Sequence, residues 1–260
     1  MKKLVSVACA LAAGIAMADT AVESANIVGY TEQDIDANKL YMIGVQFEDV
    51  GSTDGAITFD SLIQMTGIEA YEDGDKNCAE IQVFNGATYR HYYYINDAWN
   101  ADDEDVGHDC WAIDGYECTE EDLQSLGNGF WFKAPVAASG ASIKVLGQVS
   151  AVDTMDVEFP ANKLAIVANP FPVDTCFGEI VTTGVVAYED GDKNCAEIQV
   201  FNGATYKHFY YTNDAWNADD EDVGYDCWSD DGYICEGVQV KAGESFWIKS
   251  PTAGKLTFSL

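Results

Sequence analysis

The sequence predicts an all-β protein of two tandem homologous repeats, each a β-sandwich or barrel-like unit. Three observations carry that expectation. Residues 71–89 recur letter for letter as residues 188–206, and the match continues at an offset of 117 to Cys118 and Cys235 with only seven differences, so the chain is a duplication. Short runs of strand-forming residues are separated by Gly, Asn and Asp turn signals at regular intervals. Almost no stretch shows the helical spacing of apolar residues. The length would allow one large domain or two ordinary ones; the duplication decides for two of roughly 115 residues each, enough for separate cores.

At the start, Lys2 and Lys3, an apolar run over 4–17 and the small-residue site Ala16-Met17-Ala18 read as a secretory signal cleaved after Ala18. The expected organisation is therefore a signal peptide over 1–18, a first β-rich repeat over 19–149 and a second over 150–260. The apolar run is shorter than the ~20 residues a membrane-spanning helix needs. The mature protein is expected to be soluble and secreted, to the medium, the cell surface or the periplasm, with no membrane insertion.

Residues 25–30 read as a first strand and 41–47 as a second, with 161–171 repeating the Ala-Asn-Lys-Leu entry to the latter in the second unit. Residues 59–65 are expected to form a short helix. Residues 80–84 alternate Ile81 and Val83 with Glu80 and Gln82. Asn85-Gly86 then supplies the two positive-φ positions of a type I′ turn, and residues 87–95 return as an aromatic strand; Asn202-Gly203 closes the same hairpin in the second copy. Residues 129–135 match 245–251 at an offset of 116, and each unit ends on a strand, 142–146 and 255–260. The boundary between units falls near 148–153.

The Ala-Asn-Ile-Val-Gly-Tyr start, the Asn-Lys-Leu segments and the Gly-x-x-Phe-Trp-type strands resemble a group of secreted bacterial proteins built from paired β-rich repeats. That resemblance implies export and a repeat fold. It implies no activity.

The formal charge is −31, from 13 Lys and Arg against 44 Asp and Glu. Nucleic acid is excluded as a partner, because phosphate binding needs clustered cations. An anionic membrane surface is disfavoured for the same reason.

Two acidic constellations occur in each copy. The first is Asp73, Asp75 and Asn77, repeated as Asp190, Asp192 and Asn194, whose alternate oxygens on a Gly-containing turn suit a hard cation. Cys78 stands where the Gly of an EF-hand would be and Phe84 where its bidentate Glu would be, and a plain surface turn satisfying its own backbone is the competing reading. The second is Asn100, Asp102, Asp103, Glu104, Asp105 and Asp109, with Asn217, Asp219, Asp220, Glu221, Asp222 and Asp226. Eleven carboxylates and no Lys or Arg lie between Arg90 and Lys133, and nine and none between Lys207 and Lys241. Such a loop gains stability from a divalent cation, and Ca2+ is the expected cofactor; a solvated acidic face is the alternative.

Of the eight cysteines, Cys9 leaves with the signal, so seven remain in an oxidising compartment. Cys110 with Cys118 and Cys227 with Cys235, eight apart across a turn, are expected to form disulfides bracing the acidic loops. Cys176 with Cys195, or Cys78 with Cys195, are further pairings that leave one thiol for a partner chain. Zinc held by His108, Cys110 and Cys118 is disfavoured, since Tyr225 replaces the histidine in the second copy and no C-x-x-C pair exists.

On the aromatic strand, alternation places Tyr89, His91 and Tyr93 on one face and Arg90, Tyr92 and Tyr94 on the other. If exposed, Tyr92, Tyr94, Trp99, Phe209, Tyr211 and Trp216 would suit a sugar ring flanked by carboxylates; cross-strand pairing that stiffens the sheet is the alternative. No G-x-S-x-G, H-E-x-x-H or P-loop is present, so an enzyme is not expected. The functional expectation is a secreted, non-catalytic, calcium-stabilised structural or adhesive protein of the extracellular or cell-surface layer, with self-association or a surface polysaccharide as partner. The alternative is a carbohydrate-binding protein using paired aromatic faces.

Overall fold

A computed structural model describes residues 28–47, 63–118, 128–138 and 140–260. The signal peptide over 1–18 and the start of the first expected strand lie outside the described residues. The described chain is all-β, and its strands fall into two similar sets. The first contains β1 (Val28–Ile35), β2 (Leu40–Gly44), β3 (Ile63–Thr66), β4 (Glu80–Phe84), β5 (Tyr89–Ile95), β6 (Cys110–Ile113), β7 (Tyr116–Glu117), β8 (Gly129–Lys133) and β9 (Ala141–Gln148). The second contains β10 (Thr154–Phe159), β11 (Leu164–Ala168), β12 (Val181–Thr183), β13 (Glu197–Phe201), β14 (Tyr206–Thr212), β15 (Cys227–Asp230), β16 (Tyr233–Ile234), β17 (Ser245–Lys249) and β18 (Gly254–Ser259), plus one 3-10 turn, Phe177–Glu179.

Each set makes one six-stranded and one three-stranded antiparallel sheet. The orders are β2-β8-β4-β5-β6-β7 with β1-β9-β3, and β11-β17-β13-β14-β15-β16 with β10-β18-β12. The two sheets of a set pack face to face, as a sandwich requires when each sheet has one apolar face. In the first repeat Ile43, Ile81, Tyr92, Trp111, Phe130 and Phe132 from the larger sheet meet Ile35, Ile63, Ala141, Ile143 and Val145 from the smaller. In the second, Val167, Ile198, Phe209, Trp228, Phe246 and Ile248 meet Val157, Phe159, Leu256 and Phe258. The period-two alternation of the sequence selects these residues, since successive side chains point to opposite faces. The expected helix at 59–65 is not formed where the chain is described. Residues 63–66 are β3, and Ile63 and Met65 face the core against Val145 and Ile143 of β9.

The hairpin β4-β5 has the expected strands and a different turn. Phe84 pairs with Tyr89 across a four-residue loop. Gly86 has φ 92°, but Asn85 is not left-handed, so the turn is not type I′. Asn85 uses its side chain instead: Oδ1 accepts the N–H of Ala87 at 3.0 Å and of Thr88 at 2.8 Å. Asn202 does the same for Ala204 and Thr205. This is the asparagine side chain imitating a backbone turn.

The outer faces of the two large sheets meet each other. Met42, Trp131 and Trp247 form a small buried cluster with Phe84, Ile166 and Phe201. The contact is reciprocal. Phe84 lies edge-on to Trp247 at 5.2 Å, and Phe201, its equivalent in the second repeat, lies edge-on to Trp131 at 5.0 Å. Two copies of one surface thus pair as in a two-fold dimer, within one chain. The backbones approach closely beside this cluster. The N–H of Gly44 donates to the carbonyl of Gly243 at 2.8 Å. A Cβ at Gly44 would stand 2.6 Å from the Glu244 carbonyl oxygen, which is why this position carries glycine.

Candidate functional site

The other end of each outer face is covered by the acidic segments. Residues on β5 and β6 that point outward, Ile95, Cys110 and Ala112, are roofed by Cys78, Ala98, Tyr71 and Val106. The loop is therefore anchored on an apolar underside, with its carboxylates outward. Part of its backbone is held by its own side chains. Asn100 Oδ1 accepts the N–H of Asp102 at 2.9 Å and of Glu104 at 3.0 Å, Asp105 Oδ1 accepts that of Gly107 at 2.8 Å, and Asp75 Oδ1 accepts that of Asn77 at 2.8 Å. Asn217, Asp222 and Asp192 repeat these bonds. Asp103 and Asp220 take left-handed φ values of 60° and 59°.

Among the described residues, no three of the Asp and Glu side chains expected to bind calcium bring their carboxylate oxygens within 4.8 Å of one another. Among the described residues, the one group of three His, Cys, Asp or Glu side chains whose ligand atoms all lie within 4.8 Å of one another is His108, Cys110 and Glu117. Asp102, Asp103, Glu104, Asp105 and Asp109 are all exposed, as are Asp219, Asp220, Glu221, Asp222 and Asp226. Their spacing in sequence had suggested convergence. In the fold, Asp105 caps the N–H of Gly107 and Asp103 accepts from Tyr116 Oη.

What the fold does bring together is an acidic aromatic cleft. In the second repeat Asp190, Asp214, Asp220 and Asp231 line it with Trp216, Gly232 and Tyr233. It combines one residue from the short turn, two from the following loop and one from the β15-β16 turn. Asp190 N–H donates to Asp214 Oδ1 at 2.9 Å, and Tyr233 Oη donates to Asp220 Oδ1 at 2.9 Å. The first repeat makes the same bonds, Asp73 to Asp97 at 2.7 Å and Tyr116 to Asp103 at 2.9 Å. Trp216 bridges Asp222 on one side and Tyr233 on the other, and Trp99 bridges Asp105 and Tyr116 likewise. The loop thus adds a short extra rung to β7 and β16 and covers those sheet edges, where another chain could otherwise pair. The rings remain open to solvent: Trp99 is 49% exposed, Trp216 47%, Tyr116 45% and Tyr233 47%.

The other expected sugar-binding rings are not available. Tyr92 and Phe209 are 2% exposed and Tyr211 8%, and Tyr94 packs half-buried against Trp111 at 5.5 Å. Alternation had grouped these residues correctly; theirs is the core face. Tyr116 and Tyr233 went unnoticed in the sequence, although they occupy the same place in both copies.

The expected disulfides Cys110 with Cys118 and Cys227 with Cys235 are not formed, and all seven described cysteines are thiols. The register explains this. The N–H of Cys118 bonds to the carbonyl of Trp111 at 3.0 Å, and that of Cys235 to the carbonyl of Trp228 at 2.9 Å. Cys118 therefore shares the core face with Trp111, while Cys110, one residue away, points to the opposite face. The other pairings, Cys176 or Cys78 with Cys195, are not formed either. Cys176 lies instead beside Cys235, its Sγ 3.8 Å from the Cys235 carbonyl oxygen. Burial foremost, then Asp230 and Cys176, pushes the Cys235 thiol up to about 12.

Each outer face also carries a carboxylate-histidine pair. Glu80 is nearly buried and receives hydrogen bonds from His91 Nδ1 at 2.6 Å, Gln82 Nε2 at 2.9 Å and Lys133 Nζ at 3.0 Å. Burial alone would raise the Glu80 carboxyl, but the bonds from His91, Lys133 and Gln82 outweigh it and hold the group below its ordinary value. Glu197 and His208 form the equivalent pair at 2.5 Å.

No described helix is long and apolar enough to cross a membrane. No protein-family model and no curated protein matches the sequence.

Proposed function

We propose that the protein is a non-catalytic adhesive module of the extracellular or cell-surface layer that holds a polysaccharide through its two acidic aromatic clefts. The observation that carries this is the twin platform: in each repeat a Trp and a Tyr adjacent along a β-bridge, nearly half exposed, with four carboxylates around them in the second repeat and the equivalent Asp73–Asp97 and Tyr116–Asp103 bonds in the first. Exposed indole and phenol faces suit the apolar face of a sugar ring, and rim carboxylates accept its hydroxyls. The acidity selects neutral or amino-bearing sugars over anionic ones. Two clefts on one chain bind a repeating surface with avidity even when each alone is weak. The reading does not rest on calcium.

The test is a binding series against neutral, amino-bearing and anionic polysaccharides with the wild type, Trp99→Ala, Trp216→Ala and the double variant. Each single variant should retain one binding event and lose avidity, and the double variant should lose binding. Because about half of each ring is buried, each substitution should cost no more than about 2–3 kcal/mol of stability, so folding is checked alongside binding by far-UV circular dichroism. Full binding by the double variant refutes the proposal, as does a preference for anionic polysaccharides.

A further inference from the structure

We propose that His108, Cys110 and Glu117 form a metal site of the zinc type, present in the first repeat and lacking in the second. The three residues come from adjoining positions of one hairpin. Cys110 opens β6, Glu117 lies on β7, and His108 stands two residues before Cys110. The register pairs Ala112 with Glu117, so Glu117, Ala112 and Cys110 share the outward face and the histidine follows on the same side. The ligand atoms lie within 4.8 Å of one another.

The histidine is set for coordination. Its Nδ1 stands 3.0 Å from the carbonyl oxygen of Val106. A carbonyl only accepts, so Nδ1 carries a proton, and Nε2 is the ring atom turned toward Glu117. Backbone bonding at one ring nitrogen is the usual way a metal-bound histidine is oriented at the other. That Nε2 faces Glu117 Oε1 at 3.2 Å. Two lone pairs at this distance need a positive centre, either a second ring proton or a metal ion. Ligands bound at about 2.0–2.1 Å to a tetrahedral ion stand about 3.3 Å apart, which this separation matches. A nitrogen, a thiolate and a carboxylate form a donor set that zinc takes readily and calcium does not. Three protein ligands would leave a fourth position for water.

The duplication supplies the comparison. Of the seven differences between the near-identical segments, two remove donors at this trio: Tyr225 replaces His108 and Ile234 replaces Glu117, while Cys227 keeps the place of Cys110. The surrounding loop and its caps are otherwise the same, and the hairpin differs further only in Ser229 for Ala112 and Asp230 for Ile113. The second repeat therefore shows that the fold does not need these donors. It also shows which residues can replace them without loss of structure.

The experiment titrates the reduced chain, residues 19–260, with cobalt(II) and then displaces it with zinc(II). One cobalt per chain is expected, with a near-ultraviolet thiolate-to-cobalt band and visible bands of tetrahedral intensity. His108→Tyr with Glu117→Ile installs the second repeat's own residues, so folding should be retained, as checked by the urea midpoint. The thiolate band should vanish and affinity fall by more than about 100-fold. Tyr225→His with Ile234→Glu should raise the stoichiometry to two. No thiolate band in the wild type overturns the proposal, as does an unchanged affinity in the first double variant.

Discussion

Replacing Trp131 by Ala tests whether the two repeats are one cooperative structure. Trp131 is 6% exposed, and its ring meets Phe201 of the other repeat edge-on at 5.0 Å. A buried indole removes about 150–250 Å2 from water, which at about 25 cal/mol per Å2 is about 4–6 kcal/mol as an upper bound. Measured truncations of buried Trp to Ala cost about 3–5 kcal/mol, because the cavity only partly closes. The expected loss is therefore about 3–5 kcal/mol. Of this, about 0.5–1.5 kcal/mol belongs to the edge-to-face pair itself, and a double-mutant cycle of Trp131 with Phe201 isolates it. The assay is urea unfolding followed by fluorescence and far-UV circular dichroism. The wild type should unfold in one transition with coincident probes. Trp131→Ala should lower the midpoint or split the curve in two, since the indole lies between the repeats. A loss under about 1 kcal/mol with a single unshifted transition would refute the reasoning.

Two further outcomes follow from the charged and thiol groups. Glu80 is held below its ordinary value in the folded chain, so its contribution is fully present above the unfolded carboxyl pKa of about 4.3 and is lost as pH falls through the folded value. Glu80→Gln should lose about 1.5–3 kcal/mol at pH 7, and its stability-against-pH curve should have a shallower acid limb; parallel curves from pH 7 to 3 would contradict the assignment. Alkylation of the folded chain at pH 8, mapped by mass spectrometry, should modify half-buried Cys176 well before Cys235, whose thiol burial pushes up to about 12; equal rates would show that the Cys235 pocket opens readily.

The sequence by itself determined the duplication, the all-β class and the two faces of the hairpin strands, because these are local or periodic properties, while which face is core came from the packing of the second sheet. Alternation across β4 and β5 put Ile81, Val83, Tyr92 and Tyr94 on one face whatever the rest of the chain did. The exposed indoles Trp99 and Trp216 were also legible, as aromatic residues inside a polar loop. Tertiary structure decided the rest, for three physical reasons. Register is set by pairing across strands, so Cys110 and Cys118, plausible partners by spacing, face opposite sides of their sheet. Polar side chains close in sequence can turn onto their own backbone, as Asn100 and Asp105 do, while Asp190, Asp214, Asp220 and Asp231 met from three segments. An outer face has no partner until another repeat arrives. Thus Phe84 and Trp131, read only as strand residues, became the contact that joins the halves.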